Sequence, residues 1–238
     1  MIPKIIHITW KNDSIFEGKS FLVENGLKNL MKINPDWEID FYNDQDIEDY
    51  LKNNLAENDY NLIKNTNIIE KCDLWRLMIM YQEGGLYIDL DRFINIPLNS
   101  IITPETKWVL PTYYDHDFSH DFMLTAPNNP SFLTAMQLNV HRRRLGMNNI
   151  YFLGPQTYMH GITINIMGDM INSNPGIETM SEIRNRIKQF NFITTFREEP
   201  WKYHVLFNAT PDFDSVDYEL EKRRMYEEFD MHHWTGTF

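Results

Sequence analysis

The chain has 238 residues and a net charge of −12, from 22 basic and 34 acidic side chains. This length can bury a full core, and the acidic excess argues against a general nucleic-acid-binding protein. One cysteine, Cys72, excludes an intrachain disulfide, and its apolar neighbours indicate a small core residue. The N-terminus lacks a signal-peptide core, and no apolar run approaches the roughly 18 residues that span a bilayer, so we expect a soluble cytoplasmic protein.

Strand and helix patterns alternate along the first half of the chain. β-branched residues or strict polar–apolar alternation predict strands, and apolar residues at helical spacing predict helices. This order predicts an α/β fold with a largely parallel central sheet flanked by helices. The predicted strands are 4–10, 37–44 and 86–91, and the predicted helices are 19–34, 46–55 and 68–83.

The second half is less regular. Prolines at positions 130 and 155 begin two predicted helices, and a short charged helix is predicted near the C-terminus. No stretch has the composition of a linker, so residues 1–238 are predicted to form one domain. The predicted strands are 107–114, 121–127, 190–196 and 201–207, and the predicted helices are 129–145, 154–170 and 218–229.

Arg142, Arg143 and Arg144 form the one dense basic stretch of the sequence. The three arginines are either a solvated helix end or a contact for an anionic partner.

Two aspartates, Asp89 and Asp91, lie at the end of the predicted strand 86–91. Side chains two residues apart on a strand share a face and lie roughly 7 Å apart, which would accommodate one divalent ion and a diphosphate. Mg²⁺ and Mn²⁺ prefer such carboxylate oxygens. A bare D-x-D pattern is also common by chance, and a polar strand end is the simpler interpretation.

The preceding helix carries Asp73 and Arg76, three residues apart and therefore on one face. They are the only charges between Lys71 and Glu83, in a helix predicted to be buried nearly all round. Buried charges need a partner. The two side chains therefore pair with each other, face a polar ligand such as sugar hydroxyls, or do both.

The stretch CDLWRLMIMYQEGGLYIDLD resembles the D-x-x-R…GG-x-Y-x-D-x-D core of glycosyltransferases with a sugar-binding region and D-x-D motif. That family includes yeast initiating α-1,6-mannosyltransferases, α-1,4-galactosyltransferases and the glucosylating domains of large clostridial toxins. IPKIIHITW, TAPNNPSF, FLGPQTY and HHWTGTF resemble further signatures of the family, in the same order along the chain. The resemblance implies a GT-A-like fold, a UDP- or GDP-sugar donor, a Mn²⁺ or Mg²⁺ ion and retention of anomeric configuration.

The resemblance also implies roles for single residues. Asp91 would bind the metal, and Asp89 would hold the ribose or sugar and assist the metal. Asp73 and Arg76 would bind the donor sugar, and Trp10 would stack on the base unless it is a core residue.

The closing motif and the segment before residue 122 add further candidates. His232, in preference to His233, would complete the metal site, unless both are surface residues. Thr237 would bind phosphate, although the family usually ends this motif with Ser-Trp, and Phe238 has no N–H to donate. Asp121 contacts the donor or acceptor or is structural, and residues 113–121 form an acceptor loop or an ordinary one.

The sequence therefore predicts a retaining, metal-dependent hexosyltransferase acting on a saccharide, lipid-linked glycan or protein acceptor, without nucleic acid and without a transmembrane segment. The alternatives are a non-catalytic nucleotide-sugar-binding protein and a metal-dependent nucleotidyltransferase. A glycosidase is disfavoured, because its two carboxylates would leave Trp10 and the Asp73–Arg76 pair unexplained. If the source is viral, the compartment would be the host cytoplasm.

Overall fold

The computed structural model describes residues 1–92, 97–110, 112–113, 117–118, 120–173, 193–195 and 218–231. The strands are β1 Ile5–Thr9, β2 Glu38–Tyr42, β3 Gly85–Ile88, β4 Trp108–Leu110, β5 Thr112–Tyr113, β6 Asp117–Phe118, β7 Phe122–Thr125 and β8 Ile193–Thr195. The α-helices are α1 Lys28–Ile33, α2 Asp44–Asn54, α3 Glu57–Ile63, α4 Ile68–Gln82, α5 Pro130–Arg144, α6 Ile150–Leu153, α7 Pro155–Ser173 and α8 Tyr218–Glu228. A π-helix, Val23–Leu27, precedes α1, and 3-10 helices span Asp13–Glu17 and Leu98–Ser100.

Six strands form the main sheet in the order β2-β1-β3-β7-β4-β8. Three of its five pairings are parallel: β1 with β2, β1 with β3, and β4 with β8. β7 runs antiparallel to both β3 and β4. The α/β prediction is confirmed, with a sheet whose first half is parallel and whose centre is mixed.

Apolar side chains on the two faces of the sheet form two core clusters. Ile6, Ile8, Leu86 and Ile88 belong to one cluster, whereas Tyr87 belongs to the other. This division follows from the two-residue period of a strand. The π-helix, α1 and α8 contribute residues to the first cluster, and α2, α4, α5 and α7 to the second.

Helix α4 is buried along most of its length. Its N-terminus is capped by Asn67, whose side chain accepts a hydrogen bond of 2.9 Å from the Glu70 N–H. Eight consecutive residues from Asp73 to Met80 are buried, as its apolar composition predicts.

Two glycines turn the chain from α4 into β3. Gly84 and Gly85 both have positive φ, of 70° and 89°. A Cβ on Gly84 would lie 2.6 Å from the backbone nitrogen of Pro127, and one on Gly85 would lie 2.5 Å from the carbonyl oxygen of Ile5. Only glycine fits at either position, and the predicted helix stop is confirmed.

One sequence-based prediction needs correction. The predicted strand 86–91 ends at Ile88, so Asp89 and Asp91 follow the strand instead of alternating along it. Arg142, Arg143 and Arg144 lie at the C-terminal end of α5, and each has a partner within the fold. Arg142 donates to the carbonyl oxygen of Phe152 at 2.6 Å, Arg143 pairs with Glu70 at 2.9 Å, and Arg144 pairs with Asp59.

In the described part of the chain, no helix is both long and apolar enough to cross a membrane.

Candidate active site

A tight turn presents the two aspartates that follow β3. The Asp89 N–H donates to the carbonyl oxygen of Asp121 at 2.9 Å, which continues the ladder with β7 by one residue. The Arg92 N–H then donates to the carbonyl oxygen of Asp89 at 2.9 Å and closes a turn around Leu90 and Asp91. The strand-face argument for the two aspartates was therefore wrong, yet both border one cleft.

This cleft has a volume of about 410 Å³ and lies beyond the carboxyl ends of β1 and β3. In open α/β sheets, ligands bind at this edge. Asp73, Arg76, Asp89, Asp91 and Trp10, which are five of the predicted site residues, all line the cleft. Its other lining residues include Thr9, Cys72, Tyr87, Arg92, His120, Asp121, Lys222 and Tyr226.

Arg76 connects helix α4 to the turn after β3. Its guanidinium lies 3.1 Å from Asp73 Oδ1 and 3.3 Å from Asp89 Oδ1, and it donates to the carbonyl oxygen of His120 at 3.3 Å. The Tyr87 ring lies beneath the guanidinium, with its centroid 4.8 Å from the guanidinium carbon. Asp73 and Arg76 therefore pair with each other, as one interpretation predicted, and both line the cleft, while their contact with a polar ligand stays a prediction.

The carboxylate of Asp73 is held between α4 and the junction of α6 and α7. Burial raises the pKa of Asp73, while the nearby Arg76 and His120 act in the opposite direction. A Cβ at Gly154 would lie 2.2 Å from Asp73 Oδ2, so the absence of a side chain at 154 lets the carboxylate approach the backbone. The glycine of the predicted Gly-Pro turn therefore shapes the cleft.

Basic residues accompany the remaining carboxylates of the cleft. Lys222 Nζ of α8 lies 2.5 Å from Asp91 Oδ2, and Arg92 Nε lies 2.6 Å from Asp121 Oδ2. The Tyr87 hydroxyl donates to Asp89 Oδ1. Sequence reasoning missed Lys222, Arg92 and Tyr87 as site residues. The position of Tyr87 two residues before Asp89 was a usable signal, whereas nothing in the charged sequence of α8 singles out Lys222.

Trp10 is both a core residue and part of the cleft wall. It is 8% exposed, and the rings of Tyr226 and Phe229 pack against it edge-on at 5.6 and 5.7 Å between centroids. Within the described residues, its indole N–H has no hydrogen-bond partner. Stacking of a nucleotide base on Trp10 stays a prediction.

Cys72 and His120 also line the cleft. Cys72 is half-buried and lines the cleft instead of lying wholly in the core, and burial raises the pKa of its thiol to about 12. The thiol is therefore protonated near neutral pH and is a poor nucleophile. His120 Nε2 lies 3.8 Å from Asp73 Oδ1.

The oxygen donors around Asp91 fit a hard divalent cation. Asp89 and Asp91 border the same cleft, and the Lys222 ammonium beside Asp91 marks a position that favours positive charge. His232, His233 and Thr237, the predicted metal and phosphate contacts of the closing motif, lie outside the described residues, as do residues 114–116 and 119 of the predicted loop 113–121.

Comparison with known proteins identifies a matching family and several similar proteins. Residues 20–108 match the family described as "Glycosyltransferase sugar-binding region containing DXD motif". The chain is similar to inositol phosphoceramide mannosyltransferase 1 of Schizosaccharomyces pombe, with 27% identity over 57% of this chain and 42% of that protein. It is also similar to inositol phosphoceramide mannosyltransferase 3 of the same yeast, with 32% identity over 57% of this chain and 36% of that protein.

A solved structure supports the fold over a longer span. The structure titled PaToxG Glycosyltransferase superposes on 96% of this chain and 85% of its own, with a TM-score of 0.53 and 15% identity. This likeness concerns the fold. The chain spans about two fifths of the length of the two yeast relatives. The family match contains Asp73, Arg76, Asp89 and Asp91, so the predicted resemblance is confirmed: residues 20–108 match the family of glycosyltransferase sugar-binding regions with a DXD motif.

Proposed function

We propose that this protein is a metal-dependent, retaining glycosyltransferase that moves a hexose from a UDP- or GDP-sugar to a hydroxyl acceptor. The observation that carries the proposal is that the Arg76 guanidinium contacts both Asp73 and Asp89 in the cleft. Trp10 and Asp91 line the same cleft. Sugar-binding sites need paired, oriented polar groups beside an apolar wall, and this cleft contains both.

In this proposal, the donor sugar lies against the Asp73–Arg76 pair. The pair is buried and internally neutral, so it can accept and donate hydrogen bonds to sugar hydroxyls without an added desolvated charge. Gly154 and Tyr87 hold the two side chains in place, and this positioning contributes to the rate by fixing the sugar for attack. The diphosphate would lie toward Asp91, Lys222 and Arg92, where the basic groups are.

A divalent ion held by Asp91 and Asp89, Mn²⁺ in the first instance, would supply positive charge to the departing diphosphate. Lys222 pairs with Asp91 in the structure, and it would turn toward phosphate oxygens once such an ion is bound. Both cationic groups would then stabilise the leaving group.

Retention in this proposal proceeds by front-face attack. A double displacement needs a carboxylate available as a nucleophile. Five described aspartates line the cleft: Asp73 and Asp89 contact Arg76, Asp91 contacts Lys222, Asp121 contacts Arg92, and Asp44 begins α2. Because the first four carboxylates are already paired, the proposal assigns the acceptor proton to a phosphate oxygen of the donor.

The names of the yeast relatives favour particular substrates. Those proteins are named as mannosyltransferases of inositol phosphoceramide, so mannose is the first hexose to test and a phosphoinositol lipid the first acceptor class. A saccharide or protein hydroxyl is the next acceptor class.

The test is a thermal-shift panel of UDP- and GDP-sugars with and without Mn²⁺. We expect one donor to raise the Tm, and to do so only with the metal, because a ligand that binds the folded state stabilises it. The variant Asp91→Asn should lose this shift, while Asp13→Asn, which changes an exposed aspartate outside the cleft, should keep it. The absence of a shift with every donor would contradict the proposal.

The two alternatives predict different products. A binding protein without activity would show the metal-dependent shift but release no nucleoside diphosphate with any acceptor. A nucleotidyltransferase would release pyrophosphate from a nucleoside triphosphate and a sugar phosphate.

A further inference from the structure

A second group of metal-ligating side chains lies away from the cleft. His7 in β1, Asp40 in β2 and Glu83 after α4 each offer a ligand atom, and these atoms lie within 4.8 Å of one another. None of the three residues lines the cleft. His7 and Asp40 are directly paired in the parallel register of β1 and β2, so the sheet itself brings them together.

The imidazole of His7 is oriented as in a metal ligand. His7 has no solvent exposure, and its Nε2 lies 2.9 Å from the carbonyl oxygen of Gly84. A carbonyl oxygen only accepts, so Nε2 carries the proton and Nδ1 of the neutral ring carries the lone pair. Metal-bound histidines in proteins are commonly fixed by such a hydrogen bond from the other ring nitrogen.

The Nδ1 lone pair points into the acidic group without a hydrogen-bond partner. Among the described residues, no donor reaches Nδ1, and the nearest acidic atom is Asp40 Oδ2 at 3.8 Å. A buried polar atom without a partner is rare and calls for an unplaced donor or cation. A proton on Nδ1 is one candidate, but burial disfavours the imidazolium by lowering the pKa of His7.

The two carboxylates also differ from those of the cleft. Within the described ranges, neither Asp40 nor Glu83 pairs with a lysine or arginine, whereas four of the cleft aspartates do. The Tyr42 hydroxyl donates to Asp40 Oδ2 at 2.9 Å, and this bond leaves the negative charge in place. The lone pair of His7 Nδ1 therefore faces the carboxylates of Asp40 and Glu83. Among the described residues, neither carboxylate is paired with a lysine or arginine.

We propose that His7 Nδ1, Asp40 and Glu83 bind one divalent transition-metal ion of the Zn²⁺ class, with water completing its coordination. One imidazole nitrogen with two carboxylate oxygens suits a borderline cation better than Mg²⁺ or Ca²⁺. Ligand atoms on one tetrahedral Zn²⁺ lie roughly 3.3–3.6 Å apart, from bond lengths of about 2.0–2.2 Å, so a rotation of the carboxylates closes the site. The Asp40 side chain is 45% exposed, which allows both the rotation and entry of the ion.

Such an ion would join β1, β2 and the segment that enters β3. The turn through Gly84 and Gly85 supports the aspartates after β3, so the ion would stabilise the scaffold beneath the cleft without contacting it.

The test is Zn²⁺ titration by calorimetry on metal-stripped full-length protein carrying Asp89→Asn, Asp91→Asn, His232→Gln and His233→Gln. These changes remove the predicted carboxylate and histidine ligands of the cleft metal, so binding that remains reports the second site. We expect one Zn²⁺ per chain and an increase in Tm on binding. Absence of Zn²⁺ binding in this protein would overturn the proposal.

Two further substitutions locate the ion. Asp40→Asn and Glu83→Gln keep the shape of each side chain and remove its charge, and each should weaken Zn²⁺ binding at least tenfold, since even outer-shell losses cost about 10–100-fold. Glu38→Gln, an exposed carboxylate on the same strand, should leave binding unchanged. X-ray absorption should detect nitrogen as well as oxygen around the metal. Unchanged affinity in both variants, or an oxygen-only shell, would overturn the proposal.

Discussion

One guanidinium nitrogen of Arg76 lies 3.3 Å from Asp89 Oδ1, and another lies 3.1 Å from Asp73 Oδ1. A single side chain of helix α4 thus connects both acidic residues predicted to contact the donor. Because the Arg76 and Asp73 side chains are both less than 10% exposed, the geometry of the cleft depends on their pairing.

Arg76→Lys should destabilise the fold and disorder the cleft. Lysine keeps the charge but lacks the planar fork that contacts two carboxylates and a carbonyl at once. We expect the free energy of unfolding in urea to fall by about 1–3 kcal/mol. The matched control is Arg224→Lys, at the same three-residue spacing from Glu221 but 58% exposed, which should cost less than about 1 kcal/mol. Equal losses in the two variants would contradict the role of Arg76.

Gly154→Ala should displace the Asp73 carboxylate. The added Cβ would lie 2.2 Å from Asp73 Oδ2, so we expect a loss of about 1–3 kcal/mol in stability and weaker donor binding. In an Asp73→Ala background the clash is absent, and the same glycine substitution should cost little. A double-mutant cycle of unfolding free energies measures this difference, and additive losses would show that the contact with Asp73 is not the cause.

Lys222→Gln should strengthen binding of Mn²⁺ in the absence of a donor. The Lys222 ammonium lies 2.5 Å from Asp91 Oδ2 and therefore competes with a metal ion for that carboxylate. We expect an increase in affinity of about tenfold or less, which corresponds to at most about 1.4 kcal/mol. Lys64→Gln is the control, since Lys64 is exposed and outside the cleft. Calorimetric titration with Mn²⁺ would contradict this account if Lys222→Gln bound the metal more weakly.

Acidification should destabilise the fold through His120. Burial, followed by the charge of Arg76, lowers the pKa of His120 below its ordinary value of 6.5. The unfolded chain then takes up a proton at a higher pH than the folded chain, so the His120 contribution is intact above about pH 6.5 and is lost as the pH falls below that value.

Urea unfolding at pH 7.5 and pH 5.5 tests this sign. His120→Gln cannot titrate, and its loss of stability between the two pH values should be smaller than that of the wild type. His141→Gln, at an exposed position of α5, should behave as the wild type does. The same pH dependence in wild type and His120→Gln would refute the assignment.

The sequence predicted the elements that carry strong local signals. Helix α4 was recognisable from its continuous apolar run, its end from two glycines, and α5 and α7 from a proline at the first position. These features are local, since capping, periodicity and positive φ depend on a few neighbouring residues.

The sequence predicted only part of the site, because several of its contacts join elements that are distant in the sequence. Asp73 and Arg76 were identified because two charges in a buried helix need partners, but their contact with Asp89 depends on packing between elements. The strand was extended through Asp91, because nothing in the local pattern reveals that the ladder ends where the turn to Arg92 begins. Lys222 lies 131 positions after Asp91 and reaches it through the packing of α8 on the sheet, which leaves no local trace in the sequence.

The central claim is metal-dependent sugar transfer at the cleft that Asp91 lines. The most direct measurement is the release of UDP or GDP from the best-binding nucleotide sugar, with a hydroxyl acceptor, in the presence and absence of Mn²⁺. We predict turnover by the wild type that needs Mn²⁺ and falls at least about 100-fold in Asp91→Asn, because a lost electrostatic contact to the leaving group costs roughly 2.7–4 kcal/mol of the barrier. Turnover that is equally fast in Asp91→Asn, or that does not depend on the metal, would contradict the account.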